Sequence, residues 1–341
     1  MAKIITLGEI MMRLQPVGYK RFMQADSFEI VFGGGEANVA VSLAQFGEDV
    51  AYVTKLPQNA LGDKCIKELR SWGVDTTNIA RGGDRIGIYF CEKGCSQRGS
   101  NVIYDRAGSS IAMANKKDFD IDKILQGVEW LHWTGITPAI SDNMADITEE
   151  FLKAAKKKNI TVSCDLNYRK KLWTKEKANK VMSKLVKYVD VLISNEEDCK
   201  DVFGIEAENT DINAGVISSS GYESIGKQLM QKFKNIKYVA FTLRESISAS
   251  RNGWSAILMD AKEVYKSKKY MIDIVDRVGG GDSFGAGLIY GLHNNLGGQK
   301  TIEFAVAASC LKHTVEGDFN IVSTDEVNKL AGGDGSGRVQ R

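Results

Sequence analysis

The sequence predicts a doubly wound α/β fold with a mostly parallel central sheet and a smaller accessory β-sheet. Three observations carry this reading. Short apolar runs recur along the chain, each followed by polar or glycine residues; helical stretches separate most of them; and segments near the N-terminus break the alternation with a two-residue period. At 341 residues, 43% hydrophobic and 26% charged, the chain can bury its core as one large domain with an insertion or as two domains.

The runs read as buried parallel strands are IITL (4–7), WLHWT (130–134), ITVSC (160–164), VDVLIS (189–194) and YVAFT (238–242). Residues 141–158 begin with a capping serine and place Met144, Ile147, Phe151, Leu152 and Ala155 at helical spacing, and 173–188 repeats the pattern. Right-handed crossovers put the carboxyl ends of parallel strands along one edge, where open α/β sheets bind ligands. Asp165, Asn167, Arg169, Asn195, Glu197 and Arg244 follow such ends and are expected to converge there, although about eighty residues separate the first from the last. SFEIVF (27–32), IGIYFCE (86–92) and NVIYDR (101–106) alternate as half-exposed strands do. They predict an accessory sheet, inserted from about 11–32 and 85–107, that acts as a lid, a dimer interface or both. Residues 1–330 then form the main unit, and the glycine-rich 331–341 is expected to be a surface tail.

Composition excludes several classes. Forty-five basic and forty-three acidic residues leave a formal charge of +2, so no general field collects nucleic acid or an anionic membrane. No apolar run approaches a membrane span. The first residues lack the apolar core of a secretory signal, so a reducing, cytoplasmic setting is expected, with Cys65, Cys91, Cys95, Cys164, Cys199 and Cys310 as free thiols. Only Cys91 and Cys95 are close in sequence and the three histidines are scattered, which argues against a zinc site.

Six of the 34 glycines form two triplets that open helices. DRVGGGDSFGAGLIYGL (276–292) sets Gly279, Gly280 and Gly281 before an apolar helix, whose first N–H groups can hold an anion. The segment lacks the lysine and Ser/Thr of a P-loop. Asp282 follows at once: an acid beside a phosphate site can accept the proton of an attacking hydroxyl, or can simply cap the helix. Gly287 and Gly291 share a helical face and suit close packing, with AVAAS (305–309) as the partner. GGGEANVAVSLAQFG (33–47) places Gly34 where a substrate can approach the backbone and Asn38 where it can bond substrate hydroxyls. Together the two triplets suggest a site for a phosphate donor and a hydroxylated acceptor.

GGGEANVAVSLAQFG and DRVGGGDSFGAG resemble the paired motifs of the ribokinase-like (PfkB) carbohydrate kinases, and the resemblance spans nearly the whole chain. GEIMMRLQP, VIYDRAGSS, WTGITPA, DLNYRKKLW, TLRES, LKHT and GDGSGRVQR are similar to the subgroup acting on 2-keto-3-deoxygluconate. The resemblance implies a three-layer sandwich with a small β-sheet lid, self-association through that lid, and ATP- and Mg²⁺-dependent phosphorylation of a small sugar acid. It implies that Asp282 is the base and that Gly279, Gly280 and Gly281 form the anion hole. It carries substrate contacts to Gly34, Tyr89, Tyr104, Arg106 and Arg169. Nucleotide contacts fall on Asn167, Asn195, Thr242 and Arg244, with His313 in a segment resembling the adenine pocket. Two arginines suit a carboxylate, which a neutral sugar lacks. The family's NxxE motif reads here Asn195-Glu196-Glu197-Asp198, so either Asp198 or Glu197 serves the metal. Another sugar kinase of the family, fructokinase-like, and a non-catalytic sensor on the same fold stay open as alternatives.

Overall fold

The computed structural model describes residues 2–207 and 219–335. Its strands are β1 (Ile4–Leu7), β2 (Met11–Gln15), β3 (Glu29–Gly33), β4 (Val50–Leu56), β5 (Ile79–Arg81), β6 (Gly87–Glu92), β7 (Asn101–Asp105), β8 (Trp130–Thr134), β9 (Thr161–Asp165), β10 (Val191–Ser194), β11 (Tyr238–Ser246), β12 (Arg251–Met259), β13 (Val264–Lys266) and β14 (Tyr270–Asp273). The large sheet runs β13-β12-β11-β10-β9-β8-β1-β4-β5, with β14 also paired to β12. From β5 to β11 every neighbouring pair is parallel; β12 to β14 turn antiparallel at one edge. Strand order reverses between β1 and β8, which opens a crevice at their carboxyl ends.

Alternate residues of the central strands feed two cores. Ile5, Val53 and Leu131 pack with Phe151 and Met182 on one face, and Ile4, Tyr52 and Trp130 pack with Phe284 and Phe304 on the other. Helices therefore cover both faces and complete a three-layer sandwich. Ser141 caps Asp142–Lys157, its hydroxyl accepting from the Met144 N–H, and the predicted apolar stripe is buried. Lys175–Leu185 starts two residues later than 173 because Thr174 is its cap, and it ends in a short 3-10 turn. A Cβ on Gly287 or Gly291 would come within 2.7 Å of Ala305 or Thr301, so the helices Gly280–His293 and Gly298–Lys312 meet through these glycines.

The second sheet runs β3-β2-β6-β7. Cross-strand register lines up Ile30, Leu14, Phe90 and Ile103 on one face, and Val31, Arg13, Tyr89 and Tyr104 on the other. The first row faces outward, with Ile30 and Ile103 about half exposed. The second turns toward the main sheet. At the C-terminus the last helix, Thr324–Ala331, is capped by Ser323, so residue 331 still belongs to it; 336–341 of the expected tail lie outside the described residues. All six cysteines are free. No helix among the described residues is long and apolar enough to cross a membrane.

Candidate active site

The crevice is an open cleft of about 1070 Å³. The seventeen candidate site residues all line it, although they come from eight separate stretches of chain. Topology explains the convergence: Asn167 and Arg169 follow β9, Asn195 follows β10, Thr242 and Arg244 lie in β11, and the two glycine turns descend from the opposite helical layer.

The second glycine turn, 279–281, has the clearest geometry. Gly279 is the N-cap of Gly280–His293 and sits at φ 83°, left-handed backbone that favours glycine. Asp282 is therefore the third residue of the helix and not its cap. The Ser283 N–H bonds the Gly279 carbonyl at 2.8 Å, and the Gly280 N–H turns to Arg277 at 3.3 Å. The N–H groups of Gly279, Gly281 and Asp282 find no acceptor among the described residues, as expected where a helix begins. Three donors and the helix dipole thus face the cleft.

Asp282 is held from the other turn. Asn38 donates from Nδ2 to Asp282 Oδ2 at 2.7 Å while its Oδ1 accepts from the Gly34 N–H at 3.2 Å. The sequence placed Asn38 against substrate hydroxyls; the structure gives its amide to the acid instead. Burial pushes the Asp282 carboxyl up to about 6, with Asp318 adding to the effect and Asn38, Arg169 and Lys312 opposing it. Glu36, in the same helix as Asn38, is buried at the cleft wall and bonded to the sheet. It accepts from the Thr134 N–H at 3.0 Å and from the hydroxyls of Thr134 and Thr137, and burial pushes it up to about 7.

On the lid side, Arg106 is not free. Its Nε donates to Glu9 Oε2 at 2.7 Å, a second guanidinium nitrogen pairs with the same oxygen, and Ser109 donates to Oε1. Tyr104 lies beside Arg106 and Lys171. The Tyr89 hydroxyl donates to Asp318. Arg169 forms no ion pair among the described residues, though its charge acts on Asp165, Asp198 and Asp282 together.

On the remaining side, Asn195 caps the helix Glu196–Phe203. Its Oδ1 accepts from the Asp198 N–H at 2.8 Å and its Nδ2 donates to Asp198 Oδ2 at 3.1 Å. Asp198 is thereby turned in and buried, whereas Glu197 is exposed at the rim. Burial raises Asp198 to about 6 and also lifts Asp165 well above the usual carboxylate range, with Asp198 and Asp282 adding to the latter. Asn167 takes φ 40° where β9 ends, its N–H on Asp165. His313 donates from Nδ1 to the Ser309 carbonyl, and its ring packs on Trp254 and under Gly280. That places it at the phosphate turn. Arg277, within the quoted motif but given no role from sequence, lies close enough to Arg244 for the two charges to interact, and neither forms an ion pair among the described residues.

A profile of the pfkB family carbohydrate kinases matches residues 1–325. The chain belongs to the PfkB carbohydrate kinase family. It is a carbohydrate kinase, and its similarities lie with the kinases of 2-keto-3-deoxy sugar acids. It is 52% identical to the solved 2-dehydro-3-deoxygluconokinase of Thermotoga maritima, with a TM-score of 0.93 and 97% and 98% of the two chains covered. It is 31% identical to the 2-dehydro-3-deoxygalactonokinase of Haloferax volcanii over 98% of each chain. It is 26% identical to the 2-dehydro-3-deoxygluconokinase of Bacillus subtilis, covering 96% and 94%.

Proposed function

We propose that this kinase transfers the γ-phosphoryl of ATP to the terminal hydroxyl of 2-keto-3-deoxygluconate, giving the 6-phospho sugar acid and ADP. The observation that carries the reading is the Asp282 carboxylate, gripped by Asn38 from the acceptor-side turn and adjacent to the open amides of the phosphate-side turn. Asp282 takes the proton of the attacking hydroxyl as its oxygen bonds phosphorus, and the bond from phosphorus to the β,γ-bridging oxygen breaks to release ADP. The N–H groups of Gly279, Gly281 and Asp282 receive the charge on the transferred group. An acid raised to about 6 is still mostly ionised at neutral pH, yet more basic than an exposed aspartate.

Around that centre, Arg244 and Arg277 offer positive charge to the polyphosphate, with Asn167, Asn195, Thr242 and His313 as polar neighbours. Asp198 suits a divalent cation: its carboxylate is buried, its pKa is raised mainly by that burial, and a cation would offset the cost. Glu197 is the less suitable of the pair because it lies exposed at the rim. No group of three or more His, Cys, Asp or Glu able to hold a metal occurs among the described residues, which fits magnesium held by one or two carboxylates and substrate phosphates. When bound, the ion neutralises the β and γ oxygens.

Arg169, with no ion-pair partner among the described residues, supplies the charge for the acid end of the substrate. Arg106 orients it with donors whose charge Glu9 already offsets, and Gly34, Tyr89 and Tyr104 complete the acceptor pocket. The test is turnover against gluconate- and galactonate-derived keto-deoxy acids and neutral sugars. The reading expects the acids to prevail and Arg169→Ala to raise KM for them by about 10- to 100-fold, with KM for ATP changing far less. Preference for a neutral sugar would sink it. We also assign the exposed Ile30, Leu14, Phe90 and Ile103 row to self-association. Ile103→Asp should shift the sedimentation profile toward monomer, and an unchanged profile in a self-associating wild type would remove that assignment.

A further inference from the structure

The lid sheet is anchored to the phosphate-side turn by a buried charge cluster. Arg13, in β2 with β3 and β6 on either side, has no exposed surface. Its Nη2 donates to Asp276 Oδ2 at 2.7 Å and its Nη1 to Asp318 Oδ1 at 2.8 Å. Asp276 stands three residues before Gly279, and its other oxygen accepts from the Val278 N–H at 3.1 Å, so it shapes the approach to the turn. It also accepts from the Gly317 N–H at 3.2 Å, joining the segment that carries Asp318.

Asp318 touches both glycine triplets. A Cβ on Gly33 would overlap its carboxylate, and a Cβ on Gly279 would overlap its carbonyl. Its second carboxylate oxygen receives the Tyr89 hydroxyl from β6. Lys312, also without exposed surface, bonds the Val315 carbonyl at 3.0 Å and adds the second cation against the two acids. The Arg13 guanidinium lies well above its ordinary range: burial works against its charge, and Asp318 and Asp276 more than compensate. The planar two-pronged fork of arginine meets both carboxylates at once, which a lysine ammonium cannot do with the same geometry.

We propose that Arg13 is a positioning residue, which sets the Gly279–Asp282 turn and the lid-borne Tyr89 as a single unit, so that the anion hole is formed only where the lid root is in register. This rests on the reading of that turn as the phosphoryl site. Removing Arg13 outright would leave two buried carboxylates with Lys312 as their one nearby cation among the described residues, so the variant of choice is Arg13→Lys. It keeps the charge and loses the fork.

Two measurements separate this inference from the reading beneath it. In hydrogen exchange on the intact protein without ligand, Arg13→Lys should accelerate exchange jointly in 276–285 and 87–92, leaving β9 and β10 as in wild type. Acceleration in only one of the two segments, or everywhere, overturns the coupling whatever the substrate is. In steady-state turnover on the preferred acceptor, kcat should fall by about 10- to 100-fold, since misplacement of about an ångström has that effect, with KM for ATP and acceptor within about threefold. A fall in melting temperature with kcat intact below the transition would leave Arg13 merely structural and overturn the proposal. If Arg13→Lys does not fold, Asp276→Asn, which keeps the size and one acceptor oxygen, should give the same exchange pattern and kcat loss. Asp282→Asn in the Arg13→Lys background completes the test: a positioning role acting through the turn predicts little further effect of Arg13→Lys there, and full additivity of the two losses overturns it. Near wild-type turnover of Asp282→Asn alone would instead fault the phosphoryl-site reading.

Discussion

The two glycine turns begin from the same three letters and end as different devices. The first, at 33–35, closes on itself: the Gly34 N–H is taken by Asn38, and the acid of its first helical turn, Glu36, points into the protein among Thr134 and Thr137. The second, at 279–281, stays open: three N–H groups face the cleft and its acid, Asp282, faces it too. Glu36 is buried and Asp282 half-buried, and desolvation above all raises both, Glu36 to about 7 and Asp282 to about 6. The difference lies in their partners. Threonine donors tie Glu36 into the sheet, whereas Asp282 has one amide and an open side. A shifted pKa does not distinguish a structural acid from a reactive one; the direction in which its unshared oxygens face does.

The sharpest way to break this contrast is Asp282→Asn. Turnover in a coupled ADP-release assay should fall by about 10²- to 10⁴-fold, while the fold becomes more stable. The sign follows from the raised pKa. Between the ordinary aspartate value and about 6 the folded chain holds a proton that the unfolded chain has lost, so the stability this group provides disappears as pH rises through that window. At neutral pH the ionised acid opposes folding, and its neutral isostere should gain about 1–3 kcal/mol in denaturant unfolding. Glu36→Ala should reverse the pattern. It strands the three donors from Thr134 and Thr137 and should cost about 2–4 kcal/mol of stability, with kcat reduced by less than about tenfold. A Glu36 variant that is stable and inactive would place both acids in the same class.

How much of this was visible in the sequence depends on how far apart the partners are. The strands of the main sheet and the caps at Ser141 and Thr174 are local patterns, and residues 141–158 carry their whole argument within one segment. The difference in burial between Glu197 and Asp198 is local as well, yet it rests on the cap: Asn195 bonds the Asp198 N–H, and Asp198 lies inside while Glu197 lies outside. The Arg13 pair with Asp318 spans 305 positions, and Glu9 meets Arg106 across 97. No periodicity or turn chemistry links such partners. A buried arginine in an alternating strand reads as an exposed residue until the opposing carboxylates are known, and Glu9 reads as the end of a strand. β13 and β14 at the sheet edge escape the sequence reading for a related reason, since short antiparallel strands at a sheet margin lack the apolar runs of buried parallel ones.

The smallest expected effect is the most discriminating, because Asn38 belongs to both turns. Its amide donates to the charged form of Asp282 and thereby holds the pKa below where burial alone would put it. Asn38→Leu keeps the branched shape, removes that donor and leaves the Gly34 N–H without its acceptor. Since the base works only when deprotonated, the acid limb of kcat/KM should move from about pH 6 to higher pH by about one unit, the worth of one charge-assisted hydrogen bond. Activity should therefore suffer more at pH 6 than at pH 8, where most of the acid is ionised in either protein. Were Asn38 instead a contact for substrate hydroxyls, KM for the sugar acid would rise equally at both pH values and the limb would not move. The pH profile thus decides whether the first glycine turn serves the second through its side chain or serves the acceptor directly.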